Sequence, residues 1–106
     1  MDPDNLSIIN DERTHRFQVE VEGRTAVLTY RRVGGSLVLD HTEVPPELEG
    51  RGIASKLAQA ALKYARSQRL QVVPVCPYLA KYLREHAEYQ DLLSTANLKH
   101  VLGSHE

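Results

Sequence analysis

Val44-Pro45-Pro46-Glu47-Leu48-Glu49-Gly50-Arg51-Gly52-Ile53-Ala54-Ser55-Lys56-Leu57 changes character twice, and its reading decides the fold. The two prolines stop the strand that precedes them, because proline cannot donate to a sheet ladder. The two glycines then permit a tight turn. From Ile53 to Gln68 there is no glycine or proline and alanine is frequent, which predicts a helix. Ile53, Leu57, Ala61 and Tyr64 form an apolar stripe along it, and Lys56, Gln59, Lys63 and Arg66 form a polar stripe opposite. One face of this helix packs on a sheet and the other meets water.

Upstream of the prolines the chain reads as strands. Phe17, Val19 and Val21 alternate with Gln18, Glu20 and Glu22, the period of a half-buried strand. Glu22-Gly23 turns into a second run, about Arg24 to Arg32, and Gly34-Gly35 into a third, about Ser36 to Val44. Three strands joined by short turns predict an antiparallel meander. Downstream of the helix, Leu70-Gln71-Val72-Val73-Pro74-Val75-Cys76 is a β-branched run in which Pro74 marks an edge strand or a departure from pairing. Strand, helix and strand in this order predict a crossover within one sheet, right-handed by default. A second helix is expected from about Tyr78 to His86, with Leu79, Tyr82 and Leu83 on one face, and a short one near Tyr89–Leu93. Beyond that the tail carries no assignable pattern. The expected fold class is α/β, of the α+β kind: a meander, then strand–helix–strand, then a second helix.

Composition bounds the function. A chain of 106 residues holds one domain, and 42% hydrophobic with 25% charged residues is globular composition. One cysteine excludes an intramolecular disulfide and a multi-cysteine zinc site. The five histidines show no pair at a helical metal-binding spacing, so no metal is expected. No apolar stretch approaches membrane-spanning length, and Met1-Asp2-Pro3-Asp4-Asn5 is acidic where a signal peptide is basic. A cytoplasmic chain without membrane association is therefore expected. A net charge of −1 argues against nucleic acid as a partner. Residues 1–44 hold five arginines against eight acids, a balance of −3, while residues 45–86 hold seven Lys/Arg against three acids, a balance of +4. Solvated helix faces account for this asymmetry, and so does a small anionic ligand on the second part.

The segment Gly50–Ser55 sits where a strand ends and a helix begins. The first amides of a helix lack internal partners and carry partial positive charge. Glycines beside them let phosphate oxygens approach the backbone. Such a segment can cradle a pyrophosphate, with Arg51, Ser55 and Lys56 at hand. A lone Gly-x-Gly is neither the dinucleotide fingerprint, whose third glycine is missing, nor a Walker loop. A glycine turn that merely enters a helix reads the same way.

The stretch His41–Leu57, followed by Val73-Pro74-Val75-Cys76-Pro77-Tyr78, resembles the GNAT superfamily of N-acetyltransferases. More narrowly it resembles the short single-domain branch with Cys-Pro-Tyr after the penultimate strand. The resemblance spans about residues 17–93 and makes residues 1–106 a minimal domain of that kind. It implies a mixed sheet whose two neighbouring parallel strands splay apart, one ending near Val44 and the other near Cys76. It also implies acetyl-CoA or CoA in that cleft as co-substrate, its pantetheine arm pairing with backbone near Glu43 and Val44. The pyrophosphate would rest on the amides from about Leu48 to Ala54. The implied contacts are thus Val44, Leu48, Glu49, Gly50, Arg51, Gly52, Ile53, Ala54 and Ser55, with Cys76 and Tyr78. The superfamily pattern is Gln/Arg-x-x-Gly-x-Gly/Ala; Glu47 stands at its first position, so no side-chain role is expected there. Between the first strands there is no room for the N-terminal helices that help larger members hold their acceptor. The acceptor site would be open, or completed by another subunit or by a macromolecular acceptor. A monomer or a homodimer is expected.

The implied activity is acetyl transfer from acetyl-CoA to an amine, carried by a small molecule or a protein. A non-catalytic acyl-CoA-binding or protein-interaction module is the competing class. Transfer needs a neutral amine, a polarised thioester carbonyl and a proton for the leaving thiolate. His41 and Glu43 alternate on one strand and share a face, so either could take the amine proton, and both also read as a solvated strand end. A backbone amide near Val44 is placed to hold the thioester oxygen. Cys76 reads as an acetyl-accepting nucleophile or as a small buried hydrophobe, close to the cofactor sulfur either way. Tyr78 and Tyr82 lie one helical turn apart. Superfamily members often use a tyrosine here to protonate the thiolate; Tyr78, nearer the strand end, is the first candidate, and aromatic packing suits Tyr82. Direct attack in a ternary complex is the favoured route, with a ping-pong route through Cys76 as the variant. Gly52→Val is expected to abolish CoA binding and leave the fold largely intact.

Overall fold

Four strands run antiparallel before the prolines are reached: β1 (Ile9–Asp11), β2 (Arg16–Val21), β3 (Arg24–Val33) and β4 (Ser36–Glu43). The computed structural model that shows them describes residues 7–103, so the acidic Met1–Asn5 stretch and His105 lie outside the described residues. After the helix α1 (Ile53–Ser67), strand β5 (Gln71–Pro74) joins β4 in parallel. The result is a five-stranded mixed sheet in the order β1-β2-β3-β4-β5, with β5 at one edge. The chain then forms α2 (Pro77–Glu85), a 3-10 turn over Ala87–Leu92, and α3 (Thr95–Val101).

The alternation in β2 works as expected. Phe17, Val19 and Val21 are buried on one face, beside Ala26, Leu28 and Tyr30 of β3 and Leu37 and Leu39 of β4. Helix α1 covers that face with Ile53, Leu57, Ala58, Ala61, Leu62 and Ala65. Each fully buried leucine contributes about 2 kcal/mol through its removal from water. Helix α2 begins with Pro77 at its first turn, where a missing N–H costs nothing, and buries Leu79, Tyr82 and Leu83. Two elements were not foreseen. Strand β1 has three residues, too few to show a period, and Ile9 is exposed. Helix α3 is capped by Ser94, whose Oγ accepts from the Asn97 N–H at 3.2 Å, and it buries Val101.

The parallel pairing of β4 with β5 covers Ser36–Leu39 against Gln71–Pro74 and then stops. Two local causes act together. Pro74 has no N–H to extend the ladder. On β4, Tyr30 pairs with Leu39 but Thr29 pairs with His41, so Asp40 is an extra residue that bends the strand. Arg31 holds the bulged Asp40 with two hydrogen bonds of 2.8 and 2.9 Å, which keep the carboxyl below its usual range. The last tie between the strands is the Cys76 N–H donating to the Leu39 carbonyl at 2.9 Å. Beyond it β4 continues along β3 while the chain turns away into α2. The two strands splay there, at the mouth of the candidate site. Among the described residues no helix is long and apolar enough to cross a membrane, and no group of three or more His, Cys, Asp or Glu could hold a metal ion.

Candidate active site

A cavity of about 230 Å³ opens where β4 ends and α1 begins. Val44, Leu48, Glu49, Gly50, Gly52, Ile53, Ala54, Ser55 and Tyr78 line it. All nine are among the contacts that the resemblance implied; Arg51 and Cys76 were implied too and are not in the lining.

The floor is built from the backbone. A 3-10 turn over Pro46–Leu48 follows β4, anchored by the fully buried Leu48 side chain. Gly50 and Gly52 have φ of 84° and 75°, a left-handed conformation that glycine adopts without steric cost. Gly52 is the N-cap of α1: its carbonyl accepts from the Lys56 N–H at 3.1 Å, and no side chain caps the helix. The amides of Ile53, Ala54 and Ser55 are therefore the helix's intrinsic unpaired donors. The expected donor set needs a correction at its start. The Leu48 N–H donates to the Pro45 carbonyl at 2.8 Å and the Glu49 N–H to the Pro46 carbonyl at 3.3 Å. Those amides are spent inside the turn, so Leu48 and Glu49 wall the cavity, and the candidate donors run from Gly50 to Ser55.

Arg51 also departs from expectation. Its Nη1 donates to Glu22 Oε2 at 2.9 Å, away from the cavity. Glu47, three residues before Gly50, pairs with Arg24 at 3.2 Å. Both partners flank Gly23 in the β2–β3 turn, so this turn grips the glycine loop from both sides. The four side chains are about half exposed, and such pairs add little stability. Their effect is to tie the loop to the sheet.

The remaining candidates divide between the two faces of the sheet. Thr42 pairs with Leu28 on the helix-covered face, and its Oγ1 accepts from the Cys76 Sγ at 3.5 Å across the splay. Sequence reading missed Thr42; its place between the alternating His41 and Glu43 was the available signal. His41 pairs with Thr29 and Glu43 with Val27, on the opposite face, and both are exposed. They do share a face, but they do not enter the cavity. Cys76 is 4% exposed, at the N-cap of α2. Tyr78 is half-buried and reaches the cavity from α2. Burial pushes its phenol above the ordinary value, helped by Tyr82 and Glu85, while a hydrogen bond with Ser55 partly offsets the shift. The phenol therefore keeps its proton at neutral pH.

The sequence and the fold of this strand–helix–strand unit are matched in known proteins. The family model described as GCN5-related N-acetyl-transferase matches residues 16–92. The chain belongs to the GCN5-related N-acetyltransferase family. Protein NATD1 of Xenopus tropicalis is 39% identical over 90 residues, which are 81% of this chain and 83% of that protein. Protein NATD1 of Homo sapiens is 40% identical over 84 residues, 76% of this chain and 74% of that one. The NMR solution structure of a GCN5-like candidate N-acetyltransferase from Staphylococcus aureus superposes with a TM-score of 0.68 at 32% identity, covering 85% of this chain and 89% of that one.

Within this N-acetyltransferase domain, α2 presents two tyrosines with different surroundings. Tyr82 is 4% exposed, its ring stacks on His86 at 3.8 Å, and its hydroxyl is buried with no hydrogen-bond partner among the described residues. An unpaired buried hydroxyl costs free energy. Tyr82→Phe should therefore raise stability by about 1 kcal/mol, read as an increase of a few degrees in Tm. A lower Tm would mean that the hydroxyl has a partner.

Proposed function

We propose that the domain transfers an acetyl group from acetyl-CoA to an amine by direct attack in a ternary complex. The observation that carries this reading is the meeting, in one cavity, of a helix N-terminus without a side-chain cap, two left-handed glycines and the Tyr78 side chain. The amides from Gly50 to Ser55 would receive the pyrophosphate oxygens, since they point positive charge at an anion without a side chain. The edge of β4 beyond Leu39 has lost its β5 partner and would pair with the pantetheine amides. In the transfer a nitrogen–carbon bond forms, the carbon–sulfur bond breaks, and Tyr78 gives its proton to the leaving thiolate. The amine proton would pass to His41 or Glu43, on the face from which an acceptor could reach the splay.

The exposure of His41 and Glu43 favours the second reading, a module that binds acyl-CoA and does no chemistry. One experiment separates the two. Melting is followed with acetyl-CoA and with CoA, and thiol release is followed across a panel of amines. A ligand present at a hundred times its Kd should stabilise by about 2.7 kcal/mol. No shift with either sinks both readings; a shift without thiol release favours the module.

Cys76 bears on the route. Its sulfur is buried and bonded to Thr42, whereas nucleophilic cysteines are partly exposed. Cys76→Ala is therefore expected to keep turnover to within about threefold, less than the tenfold that 1.4 kcal/mol represents. Loss of turnover, together with an acetyl adduct in the intact mass of the parent protein, would establish the ping-pong route instead.

A further inference from the structure

A second cavity, of about 190 Å³, lies at the other end of α1. Glu12, His15, Tyr30, Arg32 and Tyr64 line it. At a helical rise of 1.5 Å per residue, Tyr64 is about 17 Å beyond Ile53, so this cavity is separate from the first. Its walls are rings: His15 and Tyr30 have centroids 5.8 Å apart, and Tyr30 and Tyr64 6.2 Å. Phe17 supports both tyrosines from behind, at 5.3 and 5.7 Å. The Tyr30 hydroxyl donates to Asn10 Oδ1 at 2.6 Å, and the Tyr30 N–H to the His15 carbonyl at 2.9 Å. Those bonds fix the ring and draw the β1–β2 turn against it.

Two opposite charges stand at the rim and share one hydroxyl. Arg32 Nη1 donates to the Tyr64 hydroxyl at 3.3 Å, and that hydroxyl donates to Glu12 Oε2 at 3.4 Å. Tyr30 is 3% exposed and backs the cavity, while the Tyr64 ring is half-buried at its opening; a tyrosine ring attracts an ammonium group, and a carboxylate beside it strengthens the attraction. A guanidinium attracts a carboxylate through paired hydrogen bonds. A lone cation would meet Arg32, and a lone anion would meet Glu12 and the negative ring faces. A molecule with both charges a few bonds apart suits every wall, and the volume is that of about six waters.

We propose that this cavity binds a small zwitterion of the ammonium–carboxylate class. The proposal is independent of the acetyl-CoA reading. Glycine betaine is the probe, titrated into the isotopically labelled full chain and followed by amide NMR, with tetramethylammonium and acetate as single-charge controls. Betaine is expected to shift the amides of His15, Tyr30 and Tyr64 with a saturable curve of about millimolar Kd, and each control to bind at least about fivefold more weakly. Glu12→Gln and Arg32→Gln change exposed side chains and should each weaken betaine about tenfold. Tyr64→Phe keeps the ring and should keep most of the affinity. The absence of a saturable shift overturns the proposal, as does equal binding of tetramethylammonium or unchanged affinity in both charge variants. Acetyl-CoA added to the same samples reports on the first cavity separately.

Discussion

Gly52→Val should abolish the rise in Tm expected of the parent chain with acetyl-CoA, and should lower the Tm of the free protein too. The sequence alone predicts that this change spares the fold. The backbone corrects it: Gly52 has φ of 75°, where side-chain-bearing residues are strained even though no atom stands within 4 Å of the added Cβ. That strain costs roughly 1–2 kcal/mol, more for a β-branched residue, or about 5–10 °C in a domain of this size. The valine also places branched carbon on the cavity wall beside the free amides of α1. Gly34→Val supplies the control, because Gly34 is left-handed as well, at φ of 58° with nothing within 4 Å, in the turn before β4. Both variants should lose similar intrinsic stability. Only Gly52→Val should lose the ligand's contribution, about 2.7 kcal/mol at a hundred times Kd. A Gly52→Val protein that still responds to acetyl-CoA would place the pyrophosphate elsewhere.

Tyr78→Phe should leave acetyl-CoA binding nearly unchanged and lower kcat by about a hundredfold or more, the usual contribution of a positioned acid. The phenol is held above its ordinary value chiefly by burial, so the protonated form persists past pH 10. Activity that depends on this proton should fall as pH rises through that shifted value, and the alkaline fall should be missing from the residual activity of Tyr78→Phe. A kcat within about threefold of the parent would reduce Tyr78 to a packing residue beside Ser55. Measured beside Tyr82→Phe, the two variants separate chemistry from packing on one helix.

The meander, the crossover and the two main helices were legible because their residues obey simple periods. Phe17, Val19 and Val21 repeat every second position, and Ile53, Leu57 and Ala61 every fourth. The splay was implied by family likeness, but its causes were partly visible: Pro74 was in the sequence, whereas the bulge at Asp40 depends on the register of two strands and has no local mark. Strand β1 and helix α3 escaped notice through brevity, and both fall outside the residues matched by the family. At the site, glycine spacing marked the cavity floor. It could not show that the Leu48 and Glu49 amides are consumed by their own turn, nor that Arg51 faces Glu22 across a gap of twenty-nine residues.

The division of the sheet into two faces has a practical consequence. On the helix-covered side, the proposed cofactor grip consists largely of main-chain groups, set by two glycines, a proline and a bulge. On the exposed side, the proposed acceptor contact would fall to His41 and Glu43, whose side chains are exposed. On the proposed reading, donor and acceptor specificity would be separable design variables in this scaffold. The exposed positions can be randomised to retarget the acylated amine while the donor half is left untouched.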